Sequence, residues 1–320
     1  MKTKSQLTDF YYKDLYPKLQ ELEERRIKLK KKLLSIGSFF AILVLLFLFY
    51  VQTNHLPLDT LIFGGAATLF IFAFFYRYLT KDYALDFKYA IIEPLIKEIQ
   101  SNFHYSPNQH ILKEYFLHAH FFTTEPDRVS GNDYVHGSID GVKIKFSDFH
   151  AEVEHKDSRD KQTWSTLFQG IFAVTEFPKY FQGSTVVLPD SAENIFGEYL
   201  GTLLQKTNFS REQLIKMDNP AFEKEFVVYG TDQIEARYIL TPAFMEKILK
   251  LKKRSNVPLY LSFRSNTMYL GIAYNKDMFE PSVFRSLLEY KISMEYIDTL
   301  HMMMGLVDEL KLNQKLWSKL

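Results

Sequence analysis

Phe39-Phe40-Ala41-Ile42-Leu43-Val44-Leu45-Leu46-Phe47-Leu48-Phe49 lies inside a longer run, Leu33 to Leu58, that contains no Asp, Glu, Lys or Arg. The eleven-residue core is apolar on every helical face. A helix of a soluble protein shows a polar stripe, so lipid is the natural solvent for this one. The first membrane span is expected over about Leu33 to Val51. A second uncharged run, Thr60 to Tyr76, is a little short of the roughly 20 residues a bilayer requires. Leu58 on one side and Tyr78-Leu79 on the other extend it, with Arg77 snorkelling to the interface, which places the second span at about 60–78. Gly64-Gly65-Ala66-Ala67 gives this helix a smooth face for close packing.

The flanks orient the pair. Arg25, Arg26, Lys28, Lys30, Lys31 and Lys32 precede the first span, and Arg77, Lys81 and Lys88 follow the second. The connection Gln52-Thr53-Asn54-His55-Leu56-Pro57-Leu58-Asp59 has no Lys or Arg. The positive-inside bias predicts a two-span protein of the cytoplasmic membrane, with a tiny external turn and both termini in the cytoplasm. A cleaved signal peptide is not expected, because the apolar run follows a charged helical segment and a second span comes directly after it.

Working outward, Leu15, Leu19, Leu22, Arg26, Leu29 and Leu33 follow alternating spacings of four and three, a heptad seam with one basic interruption. The segment 1–32 is expected to be a cytoplasmic amphipathic helix with a basic end. It packs on its own domain, or its cations meet anionic headgroups. The transmembrane hairpin occupies 33–79, and residues 80–320 form a cytoplasmic domain. Lys+Arg 39 against Asp+Glu 38 leaves a formal charge of +1, which argues against a nucleic-acid partner. No cysteine is present, which excludes disulfides, thiolate nucleophiles and cysteine-ligated metals.

In that domain, helical signals run from Tyr83 to Phe103, with Pro94 bending or dividing them, and again over Asn108 to Leu117. Strands are predicted on both sides of the turn Asp140-Gly141, with alternation continuing through Phe149 to His155. Lys156 to Thr163 reads as a loop. Further strands are expected over Phe168 to Phe177, Thr185 to Leu188 and Phe222 to Tyr229, and as a hairpin, Leu259 to Phe263 and Met268 to Ala273. A helix is expected near Glu193 to Gln205. Asp232 begins another, divided at Thr241-Pro242, on which Ile234, Tyr238, Phe244, Ile248 and Leu251 share one face. A final helix is predicted from Pro281 to about Leu316. Strand clusters joined by short turns and flanked by helices define an α+β fold with a mainly antiparallel sheet.

Asn219-Pro220-Ala221-Phe222-Glu223-Lys224-Glu225-Phe226-Val227-Val228-Tyr229-Gly230-Thr231-Asp232-Gln233-Ile234-Glu235-Ala236-Arg237-Tyr238-Ile239-Leu240-Thr241-Pro242 resembles the bacterial membrane-protein family named domain of unknown function 3137. Asp133-Tyr134-Val135 to Gly141 with Phe146-Ser147-Asp148, and Phe168-Gln169-Gly170-Ile171-Phe172 through Phe177 to Gly183, match the same pattern. The likeness covers about 127–284. It implies a membrane anchor and a cytoplasmic α+β domain, with no established reaction and no catalytic or ligand residues. It also implies a conceivable partner, a LemA-type membrane protein.

Asp232, Glu235 and Arg237 are the catalytic candidates, two carboxylates beside a cation that suit acid–base work or phosphate binding. The competing account, which is favoured, makes Asp232 the cap of the following helix and Glu235 or Arg237 part of a structural ion pair. His118 and His120, with His110, His136, His150 and His155 nearby in sequence, suit a transition metal if His118 and His120 share one face of a strand. Surface or hydrogen-bonded histidines are the preferred reading, so no metal or other cofactor is expected. Met302-Met303-Met304 offers an adaptable surface and Lys250, Lys252, Lys253 and Arg254 a basic helix end; a core role and simple solvation are the respective alternatives. No phosphate-cradling glycine motif or nucleophile elbow occurs. The function expected is that of a membrane-anchored interaction or scaffold protein in contact with the lipid bilayer. The alternative is a membrane-associated enzyme, or a sensor, acting on a lipid or amphipathic small molecule.

Overall fold

The computed structural model describes residues 4–55, 57–156, 161–177, 180–190, 213–289, 297–298 and 301. The chain separates into two compact units, one containing Ile96–Phe279 and the other containing Lys2–Leu95 and Glu280–Glu295.

The second of these is built on two long helices. The first runs as α1 (Lys4–Phe10), a π-turn (Tyr11–Leu15) and α2 (Tyr16–Thr53), and the second as α3 (Leu58–Phe87), a π-turn (Lys88–Ile92) and α4 (Glu93–Ile99). Both π-turns end two residues before a proline, Pro17 or Pro94. A proline has no N–H and its ring crowds the carbonyl four residues back; a widened turn there accommodates both defects without ending the helix. So Pro94 neither divides nor stops the helical run. Both helices are long and apolar enough to cross a membrane, and only 6% and 0% of their most apolar windows is buried within the protein. Phe40 packs edge-on against Phe72 at 6.0 Å, and Gly64 leaves room for the ring of Phe47. The seam expected on the first helix is present, with Leu15, Leu19, Leu22, Arg26 and Leu33 buried.

Arg26 explains its place in that seam. Its guanidinium donates to both oxygens of Glu23, at 2.8 and 2.7 Å, and to the carbonyl of Val283 at 2.7 Å. Glu23 in turn accepts from the backbone N–H of Leu287 (2.9 Å) and the hydroxyl of Ser286 (3.0 Å). Lys88, itself buried, pairs with Glu280 at 2.5 Å. Residues 281–289 follow these contacts as bends and turns. The helix predicted from Pro281 therefore does not begin there, because its backbone groups are engaged by Arg26 and Glu23. Ile297, Asp298 and His301 are helical, and the rest of that prediction, with Met302-Met303-Met304, lies outside the described residues. So does the helix expected over Glu193 to Gln205.

Among the described residues, the other unit holds a nine-stranded antiparallel sheet: β1 (His104–Ser106), β2 (Arg128–Ile139), β3 (Val142–Lys156), β4 (Gln162–Glu176), β5 (Ser184–Pro189), β6 (Gln213–Leu214), β7 (Phe226–Gly230), β8 (Leu259–Arg264) and β9 (Thr267–Ile272). Their spatial order is β1-β2-β3-β4-β9-β8-β5-β7-β6. The α+β class and the antiparallel sheet read from the sequence are thus present. Asp140 and Gly141 both have positive φ, as a two-residue hairpin turn requires. A short helix, α5 (Lys113–Ala119), brings Phe116 and Ala119 to an aromatic core with Phe121, Phe149, Phe168 and Phe172. That helix starts later than expected, since Pro107 to Leu112 are taken up in a loop whose Pro107 and Gln109 carbonyls accept from Asp133 and Tyr134.

Two further expectations are corrected. Phe222 belongs to a helical turn, α6 (Pro220–Glu223), because Asn219 caps it, accepting from Ala221 and Phe222, and Pro220 presets its first residue. Thr241-Pro242 divides the run after Asp232 as expected, into α7 (Gln233–Ile239) and α8 (Pro242–Ser255), but the five apolar residues do not share one buried face. Phe244, Ile248 and Leu251 are buried, but Ile234 and Tyr238 are exposed, and α7 buries Ala236 and Ile239 instead. The sequence periodicity does not survive the break at Thr241-Pro242, where Thr241 is extended.

Gly170 is where β4 meets the end of β9. It has φ +152°, and a methyl group there would stand 2.0 Å from the carbonyl oxygen of Ile272. Gly170→Ala is expected to lower stability by about 2–4 kcal/mol, read as a fall in thermal midpoint of the purified protein. Arg26→Ala strands the Glu23 carboxylate in a buried site, and a loss of about 3–5 kcal/mol is expected in the same measurement.

Candidate functional site

Two of the stretches that carried the family resemblance, Phe168 to Gly183 and Asn219 to Pro242, meet in the fold, and of the three catalytic candidates Glu235 joins them. Asp232 caps α7, its Oδ1 accepting from the N–H of Ile234 (2.8 Å) and Glu235 (3.1 Å). Glu235 faces the other way. Its two oxygens accept from the consecutive N–H groups of Gln182 (2.7 Å) and Gly183 (2.6 Å), which precede β5. A side chain at Gly183 would collide with Thr231 and Glu235, which accounts for the glycine. Thr231 completes the mooring, accepting from the N–H of Ser184 at 2.8 Å. Arg237 points elsewhere and donates to the carbonyl of Lys216 at 3.2 Å. The three candidates therefore do not converge on one point; each holds a backbone segment.

A second polar cluster was not singled out from the sequence. Asp148, 1% exposed, sits in β3 between Ser147 and Phe149. Its Oδ2 accepts from the N–H of Met278 (2.9 Å), while its Oδ1 has no hydrogen-bond partner among the described residues. Asp133, fully buried and with positive φ, accepts from the hydroxyl of Tyr105. Burial pushes the Asp148 carboxyl well above the usual carboxylate range, and the neighbouring charges of Asp133 and Asp277 push it the same way. Asp148 thus sits where its neutral form is favoured, and it grips the chain leaving β9. The available signal was an acidic residue where strand alternation called for a core residue, inside a family-like stretch.

The histidines disperse. His118 and His120 stand at the end of α5, not on a strand; His120 terminates the helix in the left-handed conformation. Both line a shallow cleft of about 170 Å³ with Phe116, Phe122, Thr123 and Glu125. Burial, with Arg264 and His118 contributing, lowers the pKa of His120 to about 4, so its ring is neutral at pH 7. His150 and His155 bond to Thr166 (3.1 Å) and Ser165 (2.6 Å), and the Nδ1 of His110 lies 2.7 Å from the carbonyl oxygen of Ile111. The ring of His136 stacks between His104 and Tyr134. Among the described residues no three His, Cys, Asp or Glu groups assemble as a metal site.

The raised Asp148 pKa fixes a sign for stability against pH. Its protonated form is favoured in the folded chain, so its contribution is complete below the ordinary value of 3.8 and is lost as pH rises through the folded value. Asp148→Asn keeps shape and neutrality. Its stability relative to the parent is expected to rise with pH above 3.8 in denaturant titrations, while Asp148→Ala stays destabilised at every pH.

The comparisons bear on this domain. No curated protein matches the chain. A solved structure, that of the mycobacterial trehalose monomycolate transport factor A, TtfA, aligns with a TM-score of 0.34 at 11% identity, covering 64% of this chain and 86% of that one. Residues 166–312 match the model of the family described as "Protein of unknown function (DUF3137)", the family whose pattern Asn219 to Pro242 carries.

Proposed function

We propose that this chain is a membrane-anchored interaction protein. Its two apolar helices cross the cytoplasmic membrane, and its folded α+β unit works in the cytoplasm. The observation that carries this reading is the pair of long helices whose most apolar windows are 6% and 0% buried, in the same chain as a folded sheet unit. Burying that surface in lipid is worth about 25 cal/mol per Å², and the protein itself does not cover it. The cationic clusters beside each span support the inward orientation. Asp232, Glu235 and Arg237 are engaged with backbone groups, which favours a holding role for them over proton transfer. The partner class implied by the family resemblance is a LemA-type membrane protein, brought into reach by a shared bilayer that raises its effective concentration. A second reading, a sensor of a small amphipathic molecule, draws on the cleft at His118 and His120, which joins aromatic walls to polar rims.

Reporter fusions at Asn54 and Leu320 are expected to read outside and inside respectively; the opposite pattern overturns the orientation. Capture of the intact protein in native lipid patches is expected to retain a stoichiometric membrane protein. A retained small molecule without a protein partner, lost on His120→Phe, decides for the sensor instead.

A further inference from the structure

Sheet edges invite unwanted pairing, and natural sheets shorten or charge them. The outermost strands here follow that rule, since β1 has three residues and β6 two. The β3–β4 hairpin breaks it. Strand β9 pairs with β4 only from Ile171 to Glu176, and β2 reaches β3 no further than Glu152. Beyond those points β3 and β4 continue together, Val153 to Lys156 against Gln162 to Ser165, as a two-stranded arm.

The two free edges of the arm differ. On the β3 side it is four residues long and carries Glu154, His155 and Lys156. On the β4 side it is Gln162-Thr163-Trp164-Ser165-Thr166-Leu167, which contains no charge and no proline and pairs with no second strand among the described residues. Thr and Trp favour extended pairing. Gln162 to Thr166 are all exposed, and Trp164 lies beneath the Arg128 guanidinium, 3.9 Å from ring centre, with Arg128 held by Glu152 at 2.6 Å. A tryptophan and an arginine displayed together are the residue types that dominate association energies.

We infer that this edge is a self-association surface, on which the β4 arm of a second copy pairs antiparallel across a two-fold axis. Self-pairing is favoured over a charged partner because the uncharged β4 edge meets a copy of itself without like-charge opposition, whereas a charged strand would face an edge that offers its charges no counter-ion. One added strand pair buries far less than the roughly 1,200 Å² of a stable soluble complex. The pairing therefore needs the raised local concentration of a shared bilayer, and rests on the anchored reading to that extent.

The lack of native cysteine makes the test direct. An isologous antiparallel pair places one residue opposite its own copy, so single cysteines at Thr163, Trp164, Ser165 and Thr166 in the full-length protein, oxidised in lipid patches, should show one position cross-linking well above its neighbours. Asp140→Cys, in the exposed turn between β2 and β3, is the control for random encounter. Lysines added both two positions before and two positions after the reactive cysteine oppose each other across the two-fold axis, so together they should lower the cross-linked fraction roughly tenfold while the thermal midpoint stays unchanged. Uniform cross-linking no greater than that of Asp140→Cys overturns the proposal, as does a peak that survives the added lysines. If the peak is lost in detergent and kept in lipid, the anchor is needed; a peak equal in both removes only the dependence on anchoring.

Discussion

A guanidinium and a carboxylate one turn apart on the first helix hold the chain together at its longest range. Glu23 and Arg26 are buried, and neither is tolerable there without full compensation. Each finds it in the other and in residues more than 250 positions away: Val283, Ser286 and Leu287 supply the remaining donors and acceptor. Desolvation makes the arrangement all-or-none. Once the ion pair leaves water, the strand of chain from 283 to 287 must be present to complete it, so this late segment is committed to the helical unit.

In the sheet unit a different device does comparable work on the chain that leaves β9. Asp148 holds Met278 with a carboxyl whose neutral form burial favours, where Glu23 holds Leu287 with one whose charged form Arg26 favours. A lone buried carboxyl lowers its cost by keeping a proton; a paired one lowers it by keeping its counter-ion. Each anchors a buried backbone donor of irregular chain, which has no helix or ladder of its own to satisfy it.

Much of the fold was legible because its signals are local. The uncharged run through Phe39 to Phe49 marks a helix apolar enough to cross a membrane, and Asp140-Gly141 marks a hairpin where two alternating strands flank it. Asp232 and Thr241-Pro242 were equally readable, since a cap and a helix-starting proline act within one turn. Errors arose where a local pattern was extended across a break between helices, as with Ile234 and Tyr238, or where partners distant in sequence took over a segment, as with residues 281–289. The candidate trio shows the same division. Their clustering in the sequence was evident, but the partners that define their roles, Gln182, Gly183 and Lys216, are far from them along the chain.

By itself, then, the sequence determined the two apolar helices, the charge asymmetry around them, the antiparallel α+β character and the helix boundaries set by caps and prolines. These depend on side-chain chemistry within a few residues. Tertiary structure alone decided the strand order, the free edge of the β4 arm, the burial of Asp148 and the partners of Glu23, Arg26 and Glu235. Those outcomes follow from which distant backbone groups reach a given side chain once water is excluded, and no local pattern encodes that distance.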